Sequence, residues 1–328
     1  MMRRYLREIS VAVAFALWMA VLAVVAPGFF KPQQLWAMLV ENSSVLVAAM
    51  GMSLIIIARH IDISIGSQFS VCGIVAALLA QNGWPMLAVV FATMLVGVSL
   101  GAINGWLVAE RKLPSIVVTL ATMVILRETL RWVREGEFVR NLPSGFQWFG
   151  ASQSVGQWLV VSIALAVFGV MAWSMRNLAI GRAVYAVGSD QEAARLAGIR
   201  PPRVVLGVFV LMGLLTGLAA LLNAVRFSDI APNLGDGREL QVIASVVVGG
   251  VAIAGGRGTL VGTLIGVALL GSINPALTFL HVQPQWEKAI QGLIILAAVA
   301  SDALRSAHSA RAVSAQPVAD SSSIGRRP

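Results

Sequence analysis

Apolar residues fill this chain in blocks too long for the alternation of a half-buried strand. They are also too uniform for the one-sided stripe of a soluble helix. A bilayer core needs about 20 mainly apolar residues per helix. Such blocks fall near 9–27, 44–60, 64–80, 86–109, 114–131, 156–175, 204–224, 240–256, 259–280 and 286–302. The second, third and eighth are short or broken by glycine, as discontinuous transporter helices are, so the count runs from eight to ten. The pattern predicts an all-α, polytopic membrane protein of about ten transmembrane helices over residues 1–302. The remaining 303–328 is rich in Ala, Ser and Pro with scattered Arg, and reads as a disordered tail. Arg3-Arg4-Tyr5-Leu6-Arg7 before the first block resembles a signal peptide, but no small-residue cleavage site follows. We read the block as a retained first span.

Composition agrees with that class. Hydrophobic residues make up 58% of the 328 and charged residues only 12%, about half the share a soluble surface needs. A net charge of +9 could point to nucleic acid, but the basic residues lie between apolar blocks without interleaved aromatics. With the N-terminus in the cytoplasm and ten crossings, the cytoplasmic segments hold 16 of the 24 Lys and Arg residues and 7 of the 15 acids. The whole excess then sits on one face, as the positive-inside rule expects. Both termini are therefore predicted to be cytoplasmic, and nucleic acid is excluded as a partner. Cys72 is the sole cysteine, which rules out an internal disulfide or a cysteine metal cluster. His60, His281 and His308 have no metal-ligand spacing and no nucleophile beside them, so an intramembrane enzyme has no support.

Glycines mark the helix contacts. Gly97, Gly101 and Gly105 repeat at intervals of four, as do Gly258, Gly262 and Gly266, with Gly213 and Gly217 a shorter case. Small residues let helix backbones approach closely in lipid. A sharper reading makes the fourth and ninth spans equivalents in two internal repeats, with Asn104 and Asn274 each three residues beyond a glycine. Polar groups inside apolar spans must face protein or water, so Asp62, Ser64, Ser67, Asn104, Thr119, Thr122 and Asn274 are candidates for a solute pathway. The plainer reading of the hydroxyls and amides is interhelical hydrogen bonding. For Asp62 we favour pairing with Arg59 at a helix end over solute binding.

The longest polar loop runs from Arg176 to Arg203. Ser189-Asp190-Gln191-Glu192 has the form of a capping box, Gly198 suits a left-handed helix end, and Pro201-Pro202 forbid continuation. This predicts a helix of about eight residues, about 12 Å long, too short to span. Its small face of Ala193, Ala194 and Ala197 suits a groove on another protein; a plain connecting helix is the alternative.

Here the residues resemble a known family. Gly181-Arg182-Ala183-Val184-Tyr185-Ala186-Val187-Gly188, then Glu192-Ala193-Ala194-Arg195-Leu196-Ala197-Gly198-Ile199, are similar to the cytoplasmic coupling loop of sugar-type ATP-binding-cassette (ABC) permeases serving ribose, xylose and arabinose import. Four more segments resemble that family in its order. They are Ile61-Asp62-Ile63-Ser64-Ile65-Gly66-Ser67, Gly101-Ala102-Ile103-Asn104-Gly105, Pro114 to Met123, and Ile243 to Gly250 running on to Gly255-Gly256-Arg257-Gly258-Thr259. Arg59-His60 stand where most members have small residues, and Ser272-Ile273-Asn274-Pro275 replaces a more usual Asn-Asn-Gly stretch. The first departure, with the polar loop 131–143, resembles the branch serving autoinducer-2 and rhamnose.

The resemblance implies a permease subunit in the bacterial inner membrane, importing a monosaccharide or similar polyol. Implied partners are an ATP-binding-cassette ATPase, a periplasmic sugar-binding protein, a second permease copy or paralogue, and lipid. Gly181, Arg182, Tyr185, Gly188, Ser189, Glu192, Ala193, Ala194 and Gly198 would then couple the pore to the ATPase. Arg131, Arg134, Glu135, Glu137, Arg140, Asp236, Arg238 and Glu239 would dock the binding protein, where mixed charges orient a partner. The chain itself carries no cofactor: Lys31, Lys112 and Lys288 are its only lysines and none follows a glycine, so no phosphate-binding loop exists. ATP and magnesium would sit on the partner. An ion-coupled transporter is the alternative, and would use Asp62, Glu128 or Glu287, all near span ends. Within the ATP-driven class, a branched-chain amino acid permease is a further one.

Overall fold

The computed structural model describes residues 2–283 and 285–296, with side chains from residue 9 onward. The tail 303–328 and the end of the tenth predicted span lie outside the described residues. The helices are α1 (Met2–Val25), α2 (Pro32–Ile57), α3 (Ile65–Gln81), α4 (Met86–Ala109), α5 (Ser115–Arg134) and α6 (Gln153–Asn177). Then come α7 (Ala179–Ser189), α8 (Gln191–Leu196), α9 (Pro201–Ala224), α10 (Arg238–Val248), α11 (Leu260–Gly271) and α12 (Ile273–Phe279), with α13 over 286–296. Among the described residues the only β-type pairing is an isolated bridge between Val139 and Ile230. The fold is all-α.

Among the described residues, five segments are long and apolar enough to cross a membrane: α2, α4, α6, α9 and the continuous stretch Leu260–Phe279. Residues Ile9–Val25 of α1 and all of α3 are apolar but shorter. Among the described residues there are thus five full-length candidates where the pattern predicts about ten spans; the tenth predicted span ends outside those residues, and two other differences have local causes. Helix α5 carries Arg127, Glu128, Arg131 and Arg134 in its second half, which breaks its apolar run. Helix α10 stops after 11 residues at Val248, because Gly250 takes a left-handed φ of 90°. The second predicted span, by contrast, is longer than expected, since α2 extends over 26 residues from Pro32.

Two helices form the centre. Helix α2 is buried on every side from Asn42 to Ile57, as expected of a helix apolar all round, and α9 is buried over most of its second half. Around them, α4 and α6 turn large apolar side chains outward, including Leu87, Phe91 and Leu95 on α4 and Val170 and Trp173 on α6. In water such a surface would drive aggregation. In a bilayer it is the ordinary lipid face.

Close packing is concentrated at glycines, and the pairing differs from a simple repeat. A side chain added at Gly97 would strike the Gly213 carbonyl, and one at Gly213 would strike the Gly97 carbonyl. Gly101 lies against the Phe209 carbonyl in the same way, so the glycines of α4 meet those of α9. Independently, Gly262 lies against the Gly249 carbonyl and Gly266 against the Ser245 carbonyl, which joins α11 to α10.

Overpacking a tight site costs about 1–3 kcal/mol or more, and here the obstacle is backbone. We predict that Gly97→Leu lowers the detergent melting temperature and the folded yield. Gly169→Leu, at an α6 glycine with open space around it, leaves both unchanged. Equal melting of the two variants would contradict the contact.

Candidate functional site

Six of the seven pathway candidates come together at one junction. The turn between α2 and α3 carries Asp62, whose Oδ1 accepts from the Ser64 amide at 2.9 Å and from the Ser64 hydroxyl at 2.5 Å. Gln68, one turn into α3, donates to Ser64 Oγ at 2.7 Å and to Asp62 Oδ2 at 3.3 Å. From α4, Asn104 Nδ2 donates to Ser64 Oγ at 2.9 Å. From α5, Thr122 donates to Asn104 Oδ1 at 2.7 Å. Thr119 pins the same turn by donating to the Ile61 carbonyl at 3.3 Å, and Ser67 donates to the Met123 carbonyl at 2.8 Å. Asp62, Ser64, Gln68, Asn104 and Thr119 are buried.

Asp62 therefore holds a helix start, but not by pairing with Arg59. That residue has a left-handed φ of 70°, and its Nε donates to the Ala254 carbonyl at 2.7 Å. The carboxyl group points inward to α3 and the guanidinium away to the α10–α11 turn. Gln68 was missed by the sequence reading; its signal was a spacing of four from Ser64, one helical turn on the same face. Asn274 is not part of this junction. It lies on α12, exposed, and donates to Glu287.

The segment 176–203 contains two short helices rather than one. Helix α7 takes in Gly181, Arg182, Tyr185, Gly188 and Ser189, and α8 is its six-residue sequel. The cap of α8 is Asp190, not Ser189: its Oδ1 accepts from the Glu192 and Ala193 amides at 2.8 and 3.0 Å. Ser189 is still helical, as the last residue of α7, so its backbone cannot serve as the extended cap. Glu192 pairs instead with Arg195. Gly198 has a left-handed φ of 83°, and Pro201 and Pro202 open α9, where a missing N–H costs nothing.

This segment is wired to the core. Gly188 sits against the Ile57 carbonyl at the end of α2, where the Gly256 amide also donates at 2.8 Å. Tyr185 Oη donates to the Gly258 carbonyl at 2.8 Å. Of the small face, only Ala194 is buried, while Ala193 is exposed and Leu196 is 80% exposed. A cleft of about 650 Å³ separates α8 from the α4–α5 turn, lined by Arg59, His60, Lys112, Ser115 and Arg195 among others.

At the opposite end the two polar loops are zipped together. Val139 and Ile230 exchange backbone bonds at 2.9 Å, Leu142 N donates to the Ser228 carbonyl at 3.1 Å, and Asn141 N donates to Asp229 at 3.1 Å. Arg131, Glu135, Glu137 and Arg140 are exposed there, and Arg134 is half-buried, donating to the Glu137 and Phe138 carbonyls. Asp236 and Glu239 both face Arg127 at 3.3 Å, tying α5 to the first turn of α10. Arg238 turns inward over the Phe69 ring. Glu239 and Arg238 are half-buried and engaged within the bundle, while Asp236 is exposed.

An all-α bundle whose outer helices present apolar faces is the architecture of a multi-pass membrane protein. A family model described as "Branched-chain amino acid transport system / permease component" matches residues 34–299, and the chain belongs to that permease family. It is the permease subunit of an ABC importer and not an enzyme; ATP hydrolysis resides on a separate chain. The ribose import permease protein RbsC of Escherichia coli (strain K12) is 33% identical over 305 residues, covering 92% of this chain and 95% of the relative. The autoinducer 2 import system permease protein LsrC of Escherichia coli (strain K12 / DH10B) is 32% identical over 292 residues, covering 88% of this chain and 85% of the relative. No solved structure matches.

Removing the Asp62 carboxyl leaves the buried amide and hydroxyl donors of Ser64 without their partner, at about 1–3 kcal/mol. We expect Asp62→Ala to lower the melting temperature clearly and Thr122→Ala, at a half-buried hydroxyl, to lower it less. The reverse order would contradict the cap.

Proposed function

We propose that this chain is the membrane-spanning half of an ATP-driven importer. It takes a monosaccharide or a similar polyol from a periplasmic binding protein and releases it in the cytoplasm. The observation that carries this reading is near full-length likeness to permeases named for ribose and autoinducer 2 import. Identities of 33% and 32% do not separate those two solutes, so the lean toward the autoinducer-2 branch rests on Arg59 and His60 with the polar loop 131–143.

The membrane arrangement belongs to the same proposal. Contacts of Ile57 with Gly256, Tyr185 with Gly258, and Ile61 with Ser115 gather four turns at one end of the bundle. Gln81 with Arg140, and Val139 with Ile230, gather others at the opposite end. Helices that alternate between these ends support ten crossings, with both termini in the cytoplasm of a bacterial inner membrane. The glycine faces of α4 and α11 meet partners at non-equivalent places, α9 and α10, and Asn104 and Asn274 occupy unlike surroundings, so two repeats draw no support from these contacts.

In this mechanism α7 and α8 receive the movement of the ATPase, and a second permease copy or paralogue completes the pore. The exposed side chains Ala193 and Leu196 form the docking face, and Ala194 anchors it from below. Movement of α7 would reach the Ile57–Gly256 contact and, through Arg59 and Ala254, the α2–α3 turn that carries Asp62. The pore needs only two arrangements of similar free energy, since ATP binding supplies the bias. Of the groups an ion-coupled mechanism would use, Asp62 is taken up by Ser64 and Gln68, Glu128 pairs with Arg131 and Glu287 accepts from Asn274 and Gln291.

The test is an Ala193→Asp, Leu196→Asp double variant, both at exposed positions. We expect unchanged melting, at least tenfold slower uptake of labelled D-ribose or L-rhamnose, and ATPase lost on purification. Normal uptake of either sugar by that variant would sink the docking assignment. Uptake inhibited by L-leucine and by neither sugar would overturn the sugar reading.

A further inference from the structure

A second polar cavity, of about 230 Å³, lies among α2, α10, α12 and α13. It is not the junction at Asp62, and α13 contributes to it as much as any other helix. Its walls carry the amides of Asn42, Gln241, Asn274 and Gln291 and the carboxylates of Glu41 and Glu287. Arg238 and Lys288 add two cations. Asp236 also reaches the cavity, but it is already paired with Arg127.

Charged side chains among membrane helices are costly and usually mark a pathway. Two of these are held in place. Glu287 accepts from Asn274 and, at 2.9 Å, from Gln291. Arg238 is fixed by stacking over Phe69 and by donating to Gln241 at 3.1 Å. Gly271 brings α11 so close to α2 that any side chain there would collide with the Asn42 amide. Asn42 and Gln291 are buried, while Glu41 is open. The result is a set of donors and acceptors around an open volume, with Glu287 and Arg238 held in place, Glu41 and Lys288 at the exposed edge, and two carboxylates balanced by two cations.

That chemistry suits a small neutral polyol, whose hydroxyls each donate and accept. Pockets for drug-sized ligands run to about 300–1,000 Å³, so this one suits a solute no larger than a monosaccharide. A branched-chain amino acid fits it poorly. Leu234 and Pro275 are the main apolar lining, so an aliphatic side chain would desolvate amides without replacing their hydrogen bonds. We propose that this cavity is a polyol-binding station within the permease, with Glu41 and Gln291 as direct contacts. The inference deepens the sugar reading and rests on it.

The test uses the full chain in nanodiscs, with Cys72→Ser to remove the one native thiol and Lys288→Cys as a reporter in the cavity wall. A membrane-impermeant thiol reagent labels the reporter in the presence of D-ribose, L-rhamnose or L-leucine. We expect at least one of the two sugars to slow labelling about fivefold or more, with no effect of leucine. Adding Glu41→Gln should abolish protection without changing the melting temperature. Failure of both sugars to protect, or protection that survives Glu41→Gln, overturns the station. Sugar uptake by the complete transporter is measured in parallel. Uptake without protection overturns the station alone, and leucine uptake without sugar uptake overturns the sugar reading as well.

Discussion

In a bilayer, apolar side chains gain little by leaving lipid for one another, so helices associate where backbones can touch. The contact of α4 with α9 is of that kind. Gly97 and Gly101 on one helix meet Gly213 and the Phe209 carbonyl on the other at distances no side chain could share. Asn104 lies on the same helix and is carried by this contact into the junction, where it can reach Ser64. The start of α3 depends in turn on Asp62, and Asp62 on the donors that Ser64 and Gln68 supply. Backbone packing therefore sets the position of the polar groups, and the polar groups then fix the break between α2 and α3.

The break matters because it adjoins α7, the start of the segment proposed to receive the ATPase. Gly188 and Gly256 crowd the last carbonyls of α2, and Arg59 reaches Ala254 from the same turn. A displacement of α7 cannot be absorbed by loose side chains at Ile57, because the contacts of Gly188 and Gly256 there are backbone on backbone. Close-packed interfaces of this type switch between discrete arrangements rather than bending gradually. That property lets a short surface helix act on a bundle core.

Much of this was legible in the sequence. Apolar blocks gave the class, and spacing of four gave the glycine faces, because both are periodic along one helix. Asp62, Ser64, Asn104 and Thr122 could be named as polar intruders in apolar spans. What could not be read was which partners they meet, since those partners are fixed by chain crossings and not by local spacing. Arg59 illustrates this: three residues from Asp62, it bonds instead to Ala254, 195 residues away. Ser189 failed as a cap because α7 extends through it, and nothing in Ser-Asp-Gln-Glu distinguishes Ser189 from Asp190 without that knowledge. Arg238 and Glu239 resembled a docking surface because charge predicts exposure, yet Arg127 and Phe69 draw them inward.

We propose that ATP acts on this chain through the exposed side of α8. The most direct measurement places a thiol at Leu196→Cys in a Cys72→Ser background, with Phe138→Cys at the opposite end of the bundle as comparison. A short thiol-to-amine crosslinker is then applied to the complete transporter in its membrane. The account predicts that position 196 crosslinks to the ATPase, that ATP changes the yield, and that position 138 gives no ATPase product. Crosslinking to the ATPase from 138 and none from 196 would contradict it.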